Sequence, residues 1–279
     1  MKICKETSEK SSRINKLIPL FAKNNYIIIE FEGYTIKNNK ISLLLDKYYV
    51  EELNSKYKLT QELLDKIIEI EGKEVWEEKV NLSKQANVPY NIVLYSYPII
   101  NIFIYEVVDK NQIKLIHIFN SLESFGKWCF TFRDLQMTSR YEEEGLPKFD
   151  QDLRKIGKSW PGNLDCVLYK KEEGIKAIVE FQTTIKTEVA KHSNNKYFLA
   201  TPQRKGDEQR WFVLDIVRKH FNKSLIIIVW SPAENIVKLK KVSEIIYSRN
   251  NKDKKPGLYY SYTEILEIND LIKNMESIL

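Results

Sequence analysis

Two stretches of the 279-residue chain put carboxylates where carboxylates are costly. They are Gly162-Asn163-Leu164-Asp165-Cys166-Val167-Leu168-Tyr169 and, after a short charged gap, Gly174-Ile175-Lys176-Ala177-Ile178-Val179-Glu180-Phe181-Gln182. Both read as strands that are apolar nearly throughout, the pattern of strands buried on both faces. An ionised side chain there is expensive unless a cation or several hydrogen bonds compensate it. Asp165 and Glu180 are therefore the candidates for holding a divalent metal. Magnesium takes oxygen ligands, commonly one or two carboxylates completed by waters and phosphate oxygens, and neighbouring strands would supply that pair. Strand periodicity sets Gln182 on the face of Glu180; its amide is no base, but it can hydrogen-bond and orient a water. A purely structural reading stands beside this one. In it Asp165 takes backbone bonds after the Pro161-Gly162-Asn163 turn and Glu180 pairs with a lysine. Carboxylates on opposite sheet faces would exclude a shared metal.

The elements that must position these residues can be read in order. Phe149 to Ile156 predicts a short helix, ended by Gly157 and the turn at 160–163. The two strands pair most simply as a hairpin through 170–174. Thr201-Pro202 predicts a helix start, with Val213, Ile216, Val217 and Phe221 forming one apolar stripe. Leu225 to Trp230 is a buried strand by length and β-branching, and Ile236 to Val242 adds another. Ser261 and Glu264 match a capping box ahead of Ile265, Leu266 and Ile268. A helix between buried strands predicts a parallel or mixed sheet.

The first half is also mixed. Helices are expected over 11–24, from Thr60, and over 121–132. Strands are expected at 26–31, 34–36 and 41–45, the last two joined by a Lys37-Asn38-Asn39-Lys40 hairpin turn, and again within 91–108 and 112–119. No motif in this half ties to chemistry, and the sequence shows no internal repeat. A polar, acidic change of composition at 138–147 suggests a boundary. It separates an N-terminal α/β region, 1–140, whose role the sequence does not disclose, from a second domain, 141–279, that carries the two strands.

Composition narrows the class. A hydrophobic share of 43% with 29% charged residues is that of a soluble globular chain. No apolar run is long enough to cross a bilayer, and Met1 to Glu6 lacks the apolar core of a secretion signal. Cys4, Cys129 and Cys166 form neither a zinc pattern nor a disulfide framework, so a reducing cytoplasm is expected. His117, His192 and His220 are too scattered for zinc, and no phosphate-binding loop or dinucleotide fingerprint is present. The net charge is only +6, but residues 184–255 hold 16 Lys/Arg against 7 Asp/Glu. Such a concentration suits a polyanion, and equally a solvated basic face.

The order helix, Asp-bearing strand, Glu-X-Gln strand, helix, strand resembles the PD-(D/E)XK nuclease superfamily, which includes many restriction endonucleases. The matching residues are Asp165 in Asn163-Leu164-Asp165-Cys166-Val167 and Glu180-Phe181-Gln182 in Ile178-Val179-Glu180-Phe181-Gln182, within a span of roughly 145–232. Leu164 stands where Pro is usual, and Gln182 where Lys is usual, as in the Glu-X-Gln form of some restriction enzymes. The resemblance implies a restriction-endonuclease-like α/β (α+β) core, a central mixed sheet flanked by helices. It implies a Mg²⁺-dependent endonuclease cutting double-stranded DNA to leave a 5′-phosphate. Asp165 and Glu180 would bind the metal and Gln182 position the water. Lys186 is the candidate for a relocated motif lysine, and Asp150 or Glu144 for a further acid from the preceding helix. Arg204, Lys205 and Arg210 are candidate DNA contacts, and a palindromic target would call for a homodimer. The competing class is a non-catalytic nucleic-acid-binding or interaction module on the same fold.

Overall fold

The computed structural model describes residues 2–6, 17–51, 60–99, 101–134, 146–201, 206–248 and 254–279. Its elements begin β1 (Ile3–Cys4), α1 (Ile18–Lys23), β2 (Tyr26–Lys37), β3 (Lys40–Val50), α2 (Thr60–Glu71), α3 (Lys73–Gln85) and β4 (Tyr90–Tyr95). Then come β5 (Ile102–Asp109), β6 (Gln112–Phe119), α4 (Leu122–Phe130), α5 (Lys148–Lys155), β7 (Gly162–Lys170) and β8 (Gly174–Thr183). The last are α6 (Asn195–Phe198), α7 (Glu208–His220), β9 (Ser224–Trp230), β10 (Ile236–Ile246), β11 (Gly257–Glu267) and α8 (Leu271–Ile278). This is a mixed α/β protein with mixed sheet flanked by helices. It falls into two compact units, residues 1–12 with 29–164 and residues 13–28 with 165–279. No helix among the described residues is long and apolar enough to cross a membrane.

In the first unit the strand order is β2-β3-β4-β5-β6, with β1 also pairing β3. The β3/β4 pair is parallel and the other pairs are antiparallel. The expected hairpin turn is present: Asn38 and Asn39 have φ of +52° and +56°, the left-handed pair that a two-residue hairpin requires. Between β3 and β4 run α2 and α3. The second of these was hidden by its Lys/Glu-rich sequence and begins after Gly72, whose φ of +82° favours glycine. The helix expected over 121–132 is α4, and Ser121 caps it, its hydroxyl accepting from the Ser124 N–H at 3.2 Å. One sheet face, with Leu43, Leu45, Val93, Tyr95 and Ile104, packs on Phe125 of α4 and Phe149 of α5. On the other lies Tyr90, its ring 5.9 Å from that of Trp76 in α3.

The second unit has the order β7-β8-β9-β10-β11, and here β8/β9 is the parallel pair. One face, with Cys166, Val179, Phe181, Ile228 and Leu239, packs on Phe21 of α1 and on Leu271 and Met275 of α8. Trp211, Leu214 and Val217 of α7 are buried, and the helix lies along β8, β9 and β10. Two expectations are corrected. The helix begins at Glu208, not at Thr201, because residues 199–200 are held close to Gly206 and the chain turns into α7 only at Asp207. Ser261 and Glu264 do not cap a helix. They lie within β11, whose Tyr-rich run pairs along β10, so cross-strand packing outweighs the local capping signal. The closing helix starts at Leu271.

The two units share one succession: a hairpin, helical segments, a strand parallel to the hairpin's second strand, two antiparallel strands and a helix. Topology repeats where the sequence shows no repeat.

Candidate active site

The site is built on the second unit's sheet. Cys166 is paired with Val179 across β7 and β8, so the next residues, Asp165 and Glu180, face each other on the sheet side opposite the Cys166/Val179 core. Their carboxyl groups share a hydrogen bond. The Glu180 side chain is 2% exposed and that of Asp165 11%. Burial drives the Glu180 carboxyl well above the usual range; Arg210 opposes the shift, while Asp165 and then Asp207 reinforce it. The result is a buried pair of carboxyl groups in hydrogen-bond contact.

Arg210, near the start of α7, lays its guanidinium on this pair. Its Nη2 contacts Glu180 Oε1 and lies 3.5 Å from Asp165 Oδ2. The start of α7 is fixed in turn: the Asp207 N–H donates to the Tyr197 carbonyl at 2.9 Å. A Cβ on Gly206 would fall 2.6 Å from the backbone of Phe198 and Leu199, so only glycine allows that approach.

Gln182 is oriented by a chain of donors and acceptors. An ammonium donates only, so buried Lys240 on β10 requires an oxygen from Asn194, and Lys240 Nζ does donate to Asn194 Oδ1. Tyr260 Oη also donates to that oxygen, at 3.2 Å. Asn194 Nδ2 is left to donate to Gln182 Oε1, which turns the Gln182 Nε2 donors away from Asn194. Lys240 thus sets the polarity of Gln182. The register Glu180–Ile227–Lys240 across β8, β9 and β10 places the lysine on the acid pair's face. Burial, then the charge of Lys238, lowers the Lys240 pKa to about 8, and burial with both lysines lowers His192 to about 4.

The Lys240 shift has a checkable sign. Its folded pKa lies below its ordinary 10.5, so the unfolded chain binds more protons between those values and stability rises with pH across that window. Urea denaturation midpoints of the wild type should climb from pH 8 to 10.5 relative to those of Lys240→Met. Parallel curves would show that Lys240 is charged like any surface lysine.

The remaining candidates are placed as follows. Lys186 is exposed in the turn after β8, and the buried lysine of this face is Lys240. Asp150 belongs to the first unit, where its Oδ1 is 3.0 Å from Lys47 Nζ. Arg210, a candidate DNA contact, sits on the acid pair. Glu144, Arg204 and Lys205 lie outside the described residues. Lys240 and Asn194 were missed. The signal for Lys240 was present in Val237-Lys238-Leu239-Lys240, a period-2 alternation that puts two lysines on one strand face.

Among the described residues no group of three or more His, Cys, Asp or Glu side chains converges as an ion cage. The donors present are two carboxylates, all oxygen, and this suits Mg²⁺ completed by waters rather than zinc. The Arg210 guanidinium supplies positive charge where such a cation would supply it.

No protein-family model matches the chain, and no curated protein matches it. A solved structure described as a sex pheromone staph-cAM373 precursor aligns over 93% of this chain and 84% of its own, at 13% identity and a TM-score of 0.18. Similarity at that level carries no argument about fold or activity.

Proposed function

We propose that the chain is a Mg²⁺-dependent endonuclease of restriction type, hydrolysing phosphodiester bonds in double-stranded DNA on a restriction-endonuclease-like core in its second unit. The observation that carries this reading is the juxtaposition of Asp165 and Glu180, buried, on one sheet face and in hydrogen-bond contact. The succession hairpin, helix, parallel strand supports it, as does the concentration of basic residues over 184–255.

Asp165 and Glu180 would hold the metal, which when bound polarises the phosphate and lowers the pKa of a water. Each residue has a definable part. Glu180 would bind the metal as a carboxylate, against the upward push of burial on its pKa. Gln182 offers hydrogen-bond donors, fixed in direction by Asn194, to a water or a phosphate oxygen. Arg210 is half exposed and long enough to exchange the acid pair for a phosphate oxygen. Lys240 holds Asn194 and adds positive charge behind Gln182.

The test is incubation of the full chain with plasmid and phage DNA, in Mg²⁺ or in chelator. Discrete fragments in Mg²⁺ alone are expected. Intact DNA under both conditions, with DNA binding unchanged in Asp165→Ala, would replace this reading with a non-catalytic binding module.

A further inference from the structure

The first unit holds a group that matches the acid pair position for position. In it Asp46 on β3 is in line with Ile92 on β4 and Tyr105 on β5. In the second unit Glu180 on β8 is in line with Ile227 and Lys240. Glu32 faces Asp46 across the β2/β3 hairpin, as Asp165 faces Glu180 across β7/β8, and the Glu32 N–H donates to Asp46 Oδ1 at 3.1 Å. The chain separations within the two sets agree to within about two residues, as the residue numbers show. The helix that precedes the parallel strand supplies a cation in both units, Lys79 from α3 and Arg210 from α7.

The difference lies in how that cation is held. Arg210 is 49% exposed and pairs with both members of the acid pair. Lys79 is 1% exposed, with its Nζ 2.7 Å from Asp46 Oδ2 and 2.8 Å from Glu71 Oε2. Tyr90 Oη donates to the same Asp46 oxygen at 2.6 Å, and Lys5 contacts Glu71 as well. A guanidinium at the surface can leave. An ammonium enclosed on every side, with two carboxylates committed to it, cannot leave without exposing them to one another.

We infer that the chain is a tandem of one module whose first copy is plugged from within: the Lys79 ammonium stands at Asp46 where a divalent cation stands at Glu180, leaving one cation site per chain. The second half of this inference rests on the reading of Asp165 and Glu180 as metal ligands; the plug in the first unit does not. Only one of the two copies is then chemically competent.

The test counts Mn²⁺ bound per full-length chain, from the free-ion electron paramagnetic resonance signal. The wild type should bind one ion, the Asp165→Asn/Glu180→Gln double variant none, and Lys79→Gln two. A wild-type count of none with one in Lys79→Gln would keep the plug and remove the proposed catalytic site. Two ions in the wild type, or no gain in Lys79→Gln, would overturn the plug. If Lys79→Gln is unfolded without metal, Mn²⁺ must restore its circular dichroism spectrum; a variant that stays unfolded in Mn²⁺ overturns the plug too.

Discussion

Asp165→Asn and Glu180→Gln are each expected to lower Mg²⁺-dependent cleavage by more than about 100-fold, since even an outer partner of a metal ligand is worth about 10- to 100-fold. Neither variant should lose its fold, because an amide of the same shape keeps a hydrogen bond in the pair. For Glu180→Gln the fold should gain. The Glu180 carboxyl is raised above its ordinary 4.5, so it favours the folded chain only while protonated. As pH rises past 4.5 the unfolded chain ionises first, and folded stability falls until the folded carboxyl ionises as well. In chelator, wild-type stability should therefore decline from about pH 4.5 upward, and Glu180→Gln should lack that part of the decline. Added Mg²⁺ should reverse the ordering near neutral pH, because a cation that binds only the folded chain stabilises it. Initial rates on plasmid DNA and urea midpoints at several pH values check both halves. Wild-type cleavage by either variant would end the assignment of these residues as ligands.

What the sequence disclosed, and what it hid, follows from the range of the interactions involved. The hairpin and its two acids were legible because a carboxylate in an apolar strand is a local anomaly, and because strand alternation ties Glu180 to Gln182 within three residues. The control of Gln182 was not legible. It depends on Asn194 and on Lys240 two strands away, a relation set by sheet register. β11 was misread because Ser261 and Glu264 satisfy a local capping rule that its pairing with β10 overrides. The repeated topology was invisible for a different reason. Its two copies keep strand order and charge logic but few identities: Asp46 against Glu180, Tyr48 against Gln182, Tyr105 against Lys240, Lys79 against Arg210. A carboxylate answered by a cation from the helix that follows it survives as chemistry without surviving as letters.

Lys79→Met should destabilise the first unit by about 3–5 kcal/mol, the cost of removing one partner from a buried charge pair. The reason is the company Lys79 keeps. Asp46 is fully buried; burial pushes its carboxyl up, but Lys5, Lys79 and Tyr90 more than offset this and bring it down to about 2. It is therefore ionised at any ordinary pH. Glu32 close by is pushed up to about 7 by burial, so the cluster has no spare negative charge to shed except by taking up protons. Without Lys79, the cation that Asp46 and Glu71 still share among the described residues is Lys5, whose side chain reaches them from a partly exposed position. Urea unfolding should show the midpoint falling with little change in slope. The companion variant Asp46→Asn should cost a similar amount by leaving Lys79 over-supplied with positive neighbours. The double variant should be less destabilised than the two singles summed, because it withdraws both charges and leaves neither uncompensated. Additive losses would mean that the two charges are stabilised separately, with Tyr90 and Glu71 carrying the compensation.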